Sequence, residues 1–222
     1  MGKQIFTRSV NANFRAIDDK NRTIEGYAIV FNERSTLVVD WNIYKVVEEV
    51  IAPSAVSEEM LRSQDIVLCL EHRRKDRMIA RCDKGVGSLK LGIDSKGVWF
   101  RTNCPNTPDG QTAYEGIKRN DYKGCSFCYW NDDDCVNVSY TKENEGTDDE
   151  MVVRTVNTID HIEDFSIVLN PAYESTDVNT RSAESKVLIE GMKEKLKIEE
   201  PKNERSEDMI KQFDEMKRFA RR

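Results

Sequence analysis

Apolar residues recur with a period of two over many short stretches of this chain and with a helical period over only a few. Residues 12–31 read as a β-hairpin. Apolar positions flank the polar Asp18-Asp19-Lys20-Asn21-Arg22, and Ile24, Tyr27, Ile29 and Phe31 follow. Gly26 inside the second arm predicts a bulge or a close backbone approach. Tyr44 to Ile51 reads as a strand, ended by Pro53, after which Ser54 is predicted to cap a short helix from Ala55 to Leu61. The unbroken apolar run Ile66 to Leu70 predicts a strand buried on both faces. Glu71 and His72 end it and open a basic turn, Arg73 to Arg77. Further strands are predicted over Met78–Cys82, Leu89–Ile93, Val98–Phe100, Cys125–Trp130, Val152–Ile159 and Phe165–Leu169, with turn chemistry at Asp94-Ser95-Lys96-Gly97. Residues 108–120 carry a helix start signal weakened by Gly116.

Two regions break this pattern. Residues 131–150 hold eight acidic side chains and one lysine, which predicts an exposed loop or insertion. Beyond residue 180 the period becomes helical. Leu188, Met192 and Leu196 form one stripe, and Met209, Phe213, Met216 and Ala220 another, separated by Glu199-Glu200-Pro201-Lys202-Asn203. Neither stripe can bury its face alone, so each needs the body or a partner.

Charge sharpens the division. Residues 181–222 carry 10 acidic and 12 basic groups of chain totals of 40 and 34. The first 180 residues are therefore near −8 and the tail near +2, so the net charge of −6 hides an acidic body and a slightly basic tail. All six cysteines, all three tryptophans and both histidines lie in the body. A body domain over 1–180 and a helical tail over 181–222 are expected. A pI near 5.2 argues against binding nucleic-acid backbones. No 18-residue apolar run is present to span a membrane as a helix. Met1 to Ile5 lacks the apolar core of a signal peptide, so the cysteines are expected as reduced thiols.

Candidate chemistry centres on few residues. His72 ends a buried strand, a rigid mount for a catalytic side chain. Ser126, in Lys123-Gly124-Cys125-Ser126-Phe127-Cys128-Tyr129-Trp130, enters an otherwise apolar strand, where its hydroxyl needs a partner. A histidine would satisfy that hydroxyl and activate it for attack on a carbonyl. The group that would orient the histidine is sought in Asp160 to Tyr173. Regular strand alternation would put His161 and Glu163 on one face, and Ile162, Asp164, Ser166 and Val168 on the other. Spacing alone leaves Asp164 and His161 as alternatives.

These segments resemble, in order, those of the tailed-phage prohead (capsid) maturation proteases, a family similar in fold to assemblin, the herpesvirus capsid-assembly protease. Gly26-Tyr27-Ala28-Ile29-Val30-Phe31 is similar to the family's opening strand. Glu49-Val50-Ile51-Ala52-Pro53-Ser54-Ala55 resembles its E-x-I-x-PGAF segment, with Ser54 for the usual Gly. Leu68-Cys69-Leu70-Glu71-His72 resembles the segment holding the catalytic histidine. Gly124-Cys125-Ser126-Phe127-Cys128-Tyr129 resembles G-x-SFGF, with Cys128 for Gly and Tyr129 for Phe. Asp164-Phe165-Ser166 through Pro171-Ala172-Tyr173 and Thr176 resembles EVS-x-V-x-x-PAY-x-x-T. The resemblance spans about residues 8–180.

The resemblance implies an α+β domain built on a strongly bent antiparallel sheet or small barrel with flanking helices, as in assemblin. It implies a serine endopeptidase with His72 as base, Ser126 as nucleophile, and Asp164 or, as in assemblin, His161 as third member. It needs no metal or organic cofactor. Its partners would be the major capsid protein and scaffold as substrates, and a homodimer or higher oligomer of itself, with no nucleic acid or membrane. Its place would be the assembling procapsid in the host cytoplasm. The loop after Leu169 is the implied source of oxyanion donors, and the tail the implied object of self-cleavage near Ser182-Ala183-Glu184-Ser185.

Three rival readings use the same residues. Cys125-x2-Cys128 with Cys104 and Cys135 is a weak zinc signal, because strand geometry points the first pair to opposite faces. Cys125 or Cys128 could be the nucleophile in place of Ser126. The chain could also be a non-catalytic core or scaffold protein that keeps the fold without the chemistry.

Overall fold

A computed structural model describes residues 5–11, 13–35, 38–40, 43, 45–130, 136–147 and 150–169. They divide into the residues up to Val38 together with those from Val47 onward, and the short segment between, where Asp40 is buried. The predicted tail helices and the acidic residues 131–135 lie outside the described residues. Among the described residues, no helix is long and apolar enough to cross a membrane.

The strands are β1 (Ile5–Asn11), β2 (Arg15–Asp18), β3 (Thr23–Val30), β4 (Val38–Asp40), β5 (Lys45–Ile51), β6 (Asp65–Leu70), β7 (Met78–Asp83), β8 (Val86–Gly87), β9 (Lys90–Ile93), β10 (Gly97–Asn103), β11 (Gly124–Trp130), β12 (Val136–Glu143), β13 (Met151–Ile159) and β14 (Ile162–Val168). The helices are α1 (Glu58–Ser63) and α2 (Pro108–Lys118). A six-stranded sheet runs β1-β11-β14-β6-β7-β8 and a second runs β2-β3-β10-β9. In a third, β13 lies between β12 and β5.

The expected bent antiparallel sheet or small barrel is corrected in two ways. The strands form separate sheets and close no barrel. Two pairs, β14–β6 and β13–β5, are parallel, because long excursions separate their partners in sequence. The unbroken apolar run of β6 follows, since an interior parallel strand is covered on both faces.

One face of the six-stranded sheet builds the core. Cys125, Phe127 and Tyr129 of β11 join Phe165 and Ile167 of β14 and Ile66, Leu68 and Leu70 of β6. Ile24, Ala28, Val98 and Phe100 of the second sheet join the same cluster. Ala113, Tyr114 and Ile117 of α2 complete it. Gly116 is required there, because a Cβ would stand 2.3 Å from the Tyr122 ring. The other face of β11 and β14 is left for Ser126, Cys128, Asp164 and Ser166.

Three local expectations change. Ser57, not Ser54, caps α1, its hydroxyl accepting from the Met60 N–H. Pro53–Ala55 forms a separate 3-10 turn. The acidic stretch holds a strand: β12 pairs with β13, and its Val136 and Val138 pack against the core while Asn137 between them faces solvent. The two-residue alternation was present, but the charge density masked it.

A buried charge cluster joins the sheets. Glu49 of β5 accepts from Arg8 Nε at 2.6 Å and Nη2 at 3.0 Å, and pairs with Arg154 of β13. The Tyr129 hydroxyl lies 3.4 Å from Glu49 and accepts from Arg154 at 3.1 Å. Glu49 and Arg154 are shut off from solvent. Burying ions is costly unless each is paired, so the carboxylate is what makes the two guanidiniums tolerable inside. Removing one partner of a buried pair costs about 3–5 kcal/mol. Glu49→Ala is therefore expected to lose stability of that order in urea denaturation. A loss under about 1 kcal/mol would mean that the cluster contributes little.

Candidate active site

The face of β11 and β14 turned away from the core carries the candidate residues Ser126, Cys128, Asp164 and Ser166. Pairing sets Ser126 opposite Ser166 and Cys128 opposite Asp164. Residues two apart on a strand lie about 6.6 Å apart on one face, so the four form two adjacent rows. The register shifts between Cys128 and Tyr129: Tyr129 pairs with Ile162, leaving Glu163 unpaired. This bulge corrects the regular alternation. Ile162 joins the core with Phe165 and Ile167, while Asp164 turns to the opposite face. A bulge re-aims a side chain in this way.

His72 reaches that face by an unusual turn. Glu71 and His72 both have positive φ, 50° and 56°, directly after β6. Left-handed backbone at a non-glycine residue costs on the order of 1–3 kcal/mol, so the surroundings must hold it. The Glu71 N–H donates to the Ile167 carbonyl at 3.1 Å, and the Arg73 N–H to that of Leu70 at 3.0 Å. The His72 N–H donates to Ser166 Oγ at 2.7 Å. The Ser166 hydroxyl in turn donates to the Cys69 carbonyl at 3.3 Å. The Glu71 carboxylate accepts from the Leu169 N–H at 3.0 Å. Ser166, fully buried, is thus the clasp between the strand end and β14, a role that sequence reasoning did not assign.

The imidazole then meets two partners at one nitrogen. His72 Nδ1 lies 2.8 Å from Asp164 Oδ1 and 3.2 Å from Cys128 Sγ. Burial is the largest single influence and works against the imidazolium, but the hydrogen bonds and charges of Asp164 and Cys128 together outweigh it. His72 is pushed up to about 10. Nε2, the other ring nitrogen, is buried with no hydrogen-bond partner among the described residues. Cys128 Sγ also lies 3.3 Å from Thr7 Oγ1 on β1. Cys128 as a histidine partner could be inferred only once the register was known.

Ser126 stands on the same face, 1% exposed, and its hydroxyl donates to the Arg8 carbonyl at 3.0 Å. The structure brings His72 and Asp164 into contact. It sets Ser126 one row along from Cys128, bonded to β1 rather than to the imidazole. Arg8 is the residue that Glu49 anchors, so the buried charge cluster also fixes the carbonyl that holds the Ser126 hydroxyl.

His161 sits elsewhere. Its ring stacks on Trp130, with centroids 3.6 Å apart, and its Nε2 lies 3.7 Å from Glu163. Glu163 accepts from Trp130 Nε1 at 2.7 Å and pairs with Arg74 of the basic turn. The unpaired bulge residue therefore ties that turn to the outer edge of the site.

The remaining thiols in this region are held protonated. Burial pushes the Cys69 thiol up to about 12, with the Asp164 charge adding to it. Burial raises Cys125 well above its ordinary value and Cys104 to about 12. Cys125 belongs to the core and Cys128 to the His72 face, so the C-x2-C pair does not converge on one ion.

No curated protein and no solved structure matches the chain. A family profile does, that of the caudovirus prohead serine proteases, over residues 10–189. That span takes in His72, β11 and β14, and with it the chain belongs to the caudovirus prohead serine protease family.

Proposed function

We propose that the chain is a serine endopeptidase that cleaves capsid and scaffold proteins, and itself, inside the assembling procapsid. The observation that carries this reading is the His72–Asp164 contact of 2.8 Å, with Nε2 of the same ring buried and unpartnered. An orienting carboxylate on one ring nitrogen and a vacant second nitrogen are what a general base for a nucleophile requires.

In this mechanism Ser126 turns from the Arg8 carbonyl toward Nε2, and its Oγ attacks the peptide carbonyl carbon. The hydroxyl proton passes to His72 Nε2, while Asp164 holds the Nδ1 proton and stabilises the imidazolium. His72 returns the proton to the departing amine, leaving an acyl ester on Ser126. Water then attacks that ester with the same base. Backbone N–H groups stabilise the oxyanion. The loop after Leu169, their candidate source, lies outside the described residues. Asp164 is the third member in this reading, because its carboxylate faces the imidazole while His161 stacks on Trp130. The fold that accompanies the reading is an assemblin-like body over 1–180 with a helical tail over 181–222. The enzyme would act as a dimer or higher oligomer, without a cofactor.

A second reading has a specific observation behind it. Cys128 Sγ lies 3.2 Å from His72 Nδ1, the spacing of a thiolate–imidazolium pair, whereas Ser126 is bonded elsewhere. The family assignment and the vacancy of Nε2 favour Ser126.

Co-expression with the cognate capsid protein separates the two. Ser126→Ala is expected to abolish cleavage on gels, and Cys128→Ala still to cleave; the reverse outcome would move the nucleophile to Cys128.

The pH profile gives an independent check. His72 is charged below about 10 and must be neutral to accept a proton, so cleavage should rise from pH 7 toward 10. A thiolate–imidazolium enzyme would instead lose activity as the pH climbs through that value. Asp164→Asn removes the largest influence raising His72. The rising limb should then move to lower pH, with a rate loss on the order of 10⁴-fold, as for the equivalent change in a Ser-His-Asp triad.

Self-cleavage of the tail can be read from mass. Enzyme recovered from matured particles should end before Arg222, near the small residues 182–185. Active enzyme with Arg222 intact would contradict removal.

A further inference from the structure

Three ligand-type atoms converge beside the catalytic base. His72 Nδ1, Cys128 Sγ and an Asp164 carboxylate oxygen all lie within 4.8 Å of one another. The imidazole nitrogen lies 2.8 Å from the carboxylate oxygen and 3.2 Å from the sulfur. One ring nitrogen carries one proton or one lone pair, so it cannot serve both neighbours fully. An imidazole nitrogen, a sulfur and a carboxylate oxygen make a donor set suited to zinc, and a cation at their centre would satisfy all three at once.

The spacing is close to what such an ion needs. Zinc bonds of about 2.0–2.3 Å at tetrahedral angles put ligand atoms about 3.3–3.6 Å apart. The two separations at His72 Nδ1 would open by a few tenths of an ångström, and the sulfur and carboxylate already lie within 4.8 Å of each other. Thr7 Oγ1 at 3.3 Å can orient the sulfur from behind, as outer partners do at metal sites. Three protein ligands leave one position for water.

We propose that His72, Cys128 and Asp164 bind a divalent cation of the zinc class, and that this cation is a reversible brake on the enzyme. The binding site stands on geometry alone; only the brake rests on the proteolytic reading above. Before binding, the His72 imidazolium carries one proton on each ring nitrogen. Binding takes the Sγ and Nδ1 lone pairs, releases to solvent the Nδ1 proton and any proton on Sγ, and leaves the remaining proton on Nε2. Nε2 then carries a hydrogen and cannot accept one from Ser126, and Asp164 is drawn from the ring to the metal. Hydrolysis stops without any change in fold, and a chelator restores it. The substitution of Cys128 for the family's usual glycine supplies the sulfur, so the brake belongs to chains with a thiol at this position.

Cobalt(II) titration of the full-length Ser126→Ala chain tests the site, because that variant cannot cleave itself and keeps all three ligands. One cobalt per chain is expected, with a sulfur-to-cobalt charge-transfer band in the near ultraviolet that zinc displaces. Adding Cys128→Ser should remove the band, and adding His72→Gln should weaken binding at least ten-fold, with circular dichroism verifying that each variant is folded. No band from the folded chain, or a band unchanged by Cys128→Ser, would overturn the site. In the wild type, one equivalent of zinc should halt cleavage of the capsid protein, and a chelator should restore it. Cleavage that continues with the site loaded would overturn the brake. A wild type that never cleaves would instead sink the proteolytic reading, leaving the cobalt spectrum to decide the site.

Discussion

The register between β11 and β14 is the constraint on which the site depends. With Cys128 opposite Asp164, the two side chains and Ser126 share the face turned from the core. Slipping the pair by one residue would send Ser126 and Cys128 into the apolar cluster and turn Phe127 and Tyr129 outward. The core contacts of Phe127, Phe165 and Ile167 therefore hold the chemistry in place from the other side of the sheet. The bulge at Glu163 is part of the same constraint. Without it, Ile162 and Asp164 would share a face, and either the core would lose an isoleucine or the histidine would lose its carboxylate.

A second layer of support holds the backbone around the site. Ser166 fixes His72 through its main-chain N–H, and the strained pair Glu71–His72 is braced at three points, by Ser166 and Ile167 of β14 and by Leu169 just after it. Glu49 anchors Arg8, whose carbonyl holds the Ser126 hydroxyl. Two residues of the segments that carry the sequence resemblance thus acquire physical roles here: Glu49 is the hub of a buried ion cluster, and Ser166 is a clasp. Neither touches the imidazole ring. The same tight placement explains the environment of His72, where one nitrogen is shared by an acid and a thiol while the other stays vacant.

The sequence made much of this legible, for reasons that differ by element. Period-two alternation, unbroken apolar runs and turn residues located the β2–β3 hairpin, β6, β7, β9, β10, β11 and β13 closely. β12 was missed because eight acids in twenty residues resemble a loop, although Val136 and Val138 kept the alternation. The parallel pairings were not legible, since strand order depends on partners distant in sequence. At the site, His72 could be singled out as the end of a buried strand, while spacing left Asp164 and His161 as alternatives. The His72–Asp164 contact could not be read, because it requires a left-handed turn at residues 71–72 and a bulge at 163, and neither carries a glycine to announce it. Cys128 read as a mere departure from a glycine until the pairing register set it against the histidine.

The central claim is that Ser126 is the nucleophile that His72 activates. Labelling the active wild-type enzyme with a fluorophosphonate and mapping the adduct by peptide mass spectrometry tests it most directly. The account predicts a single phosphonyl adduct on Ser126, absent from His72→Gln. An adduct on another residue, or active enzyme that takes no label at Ser126, would contradict it.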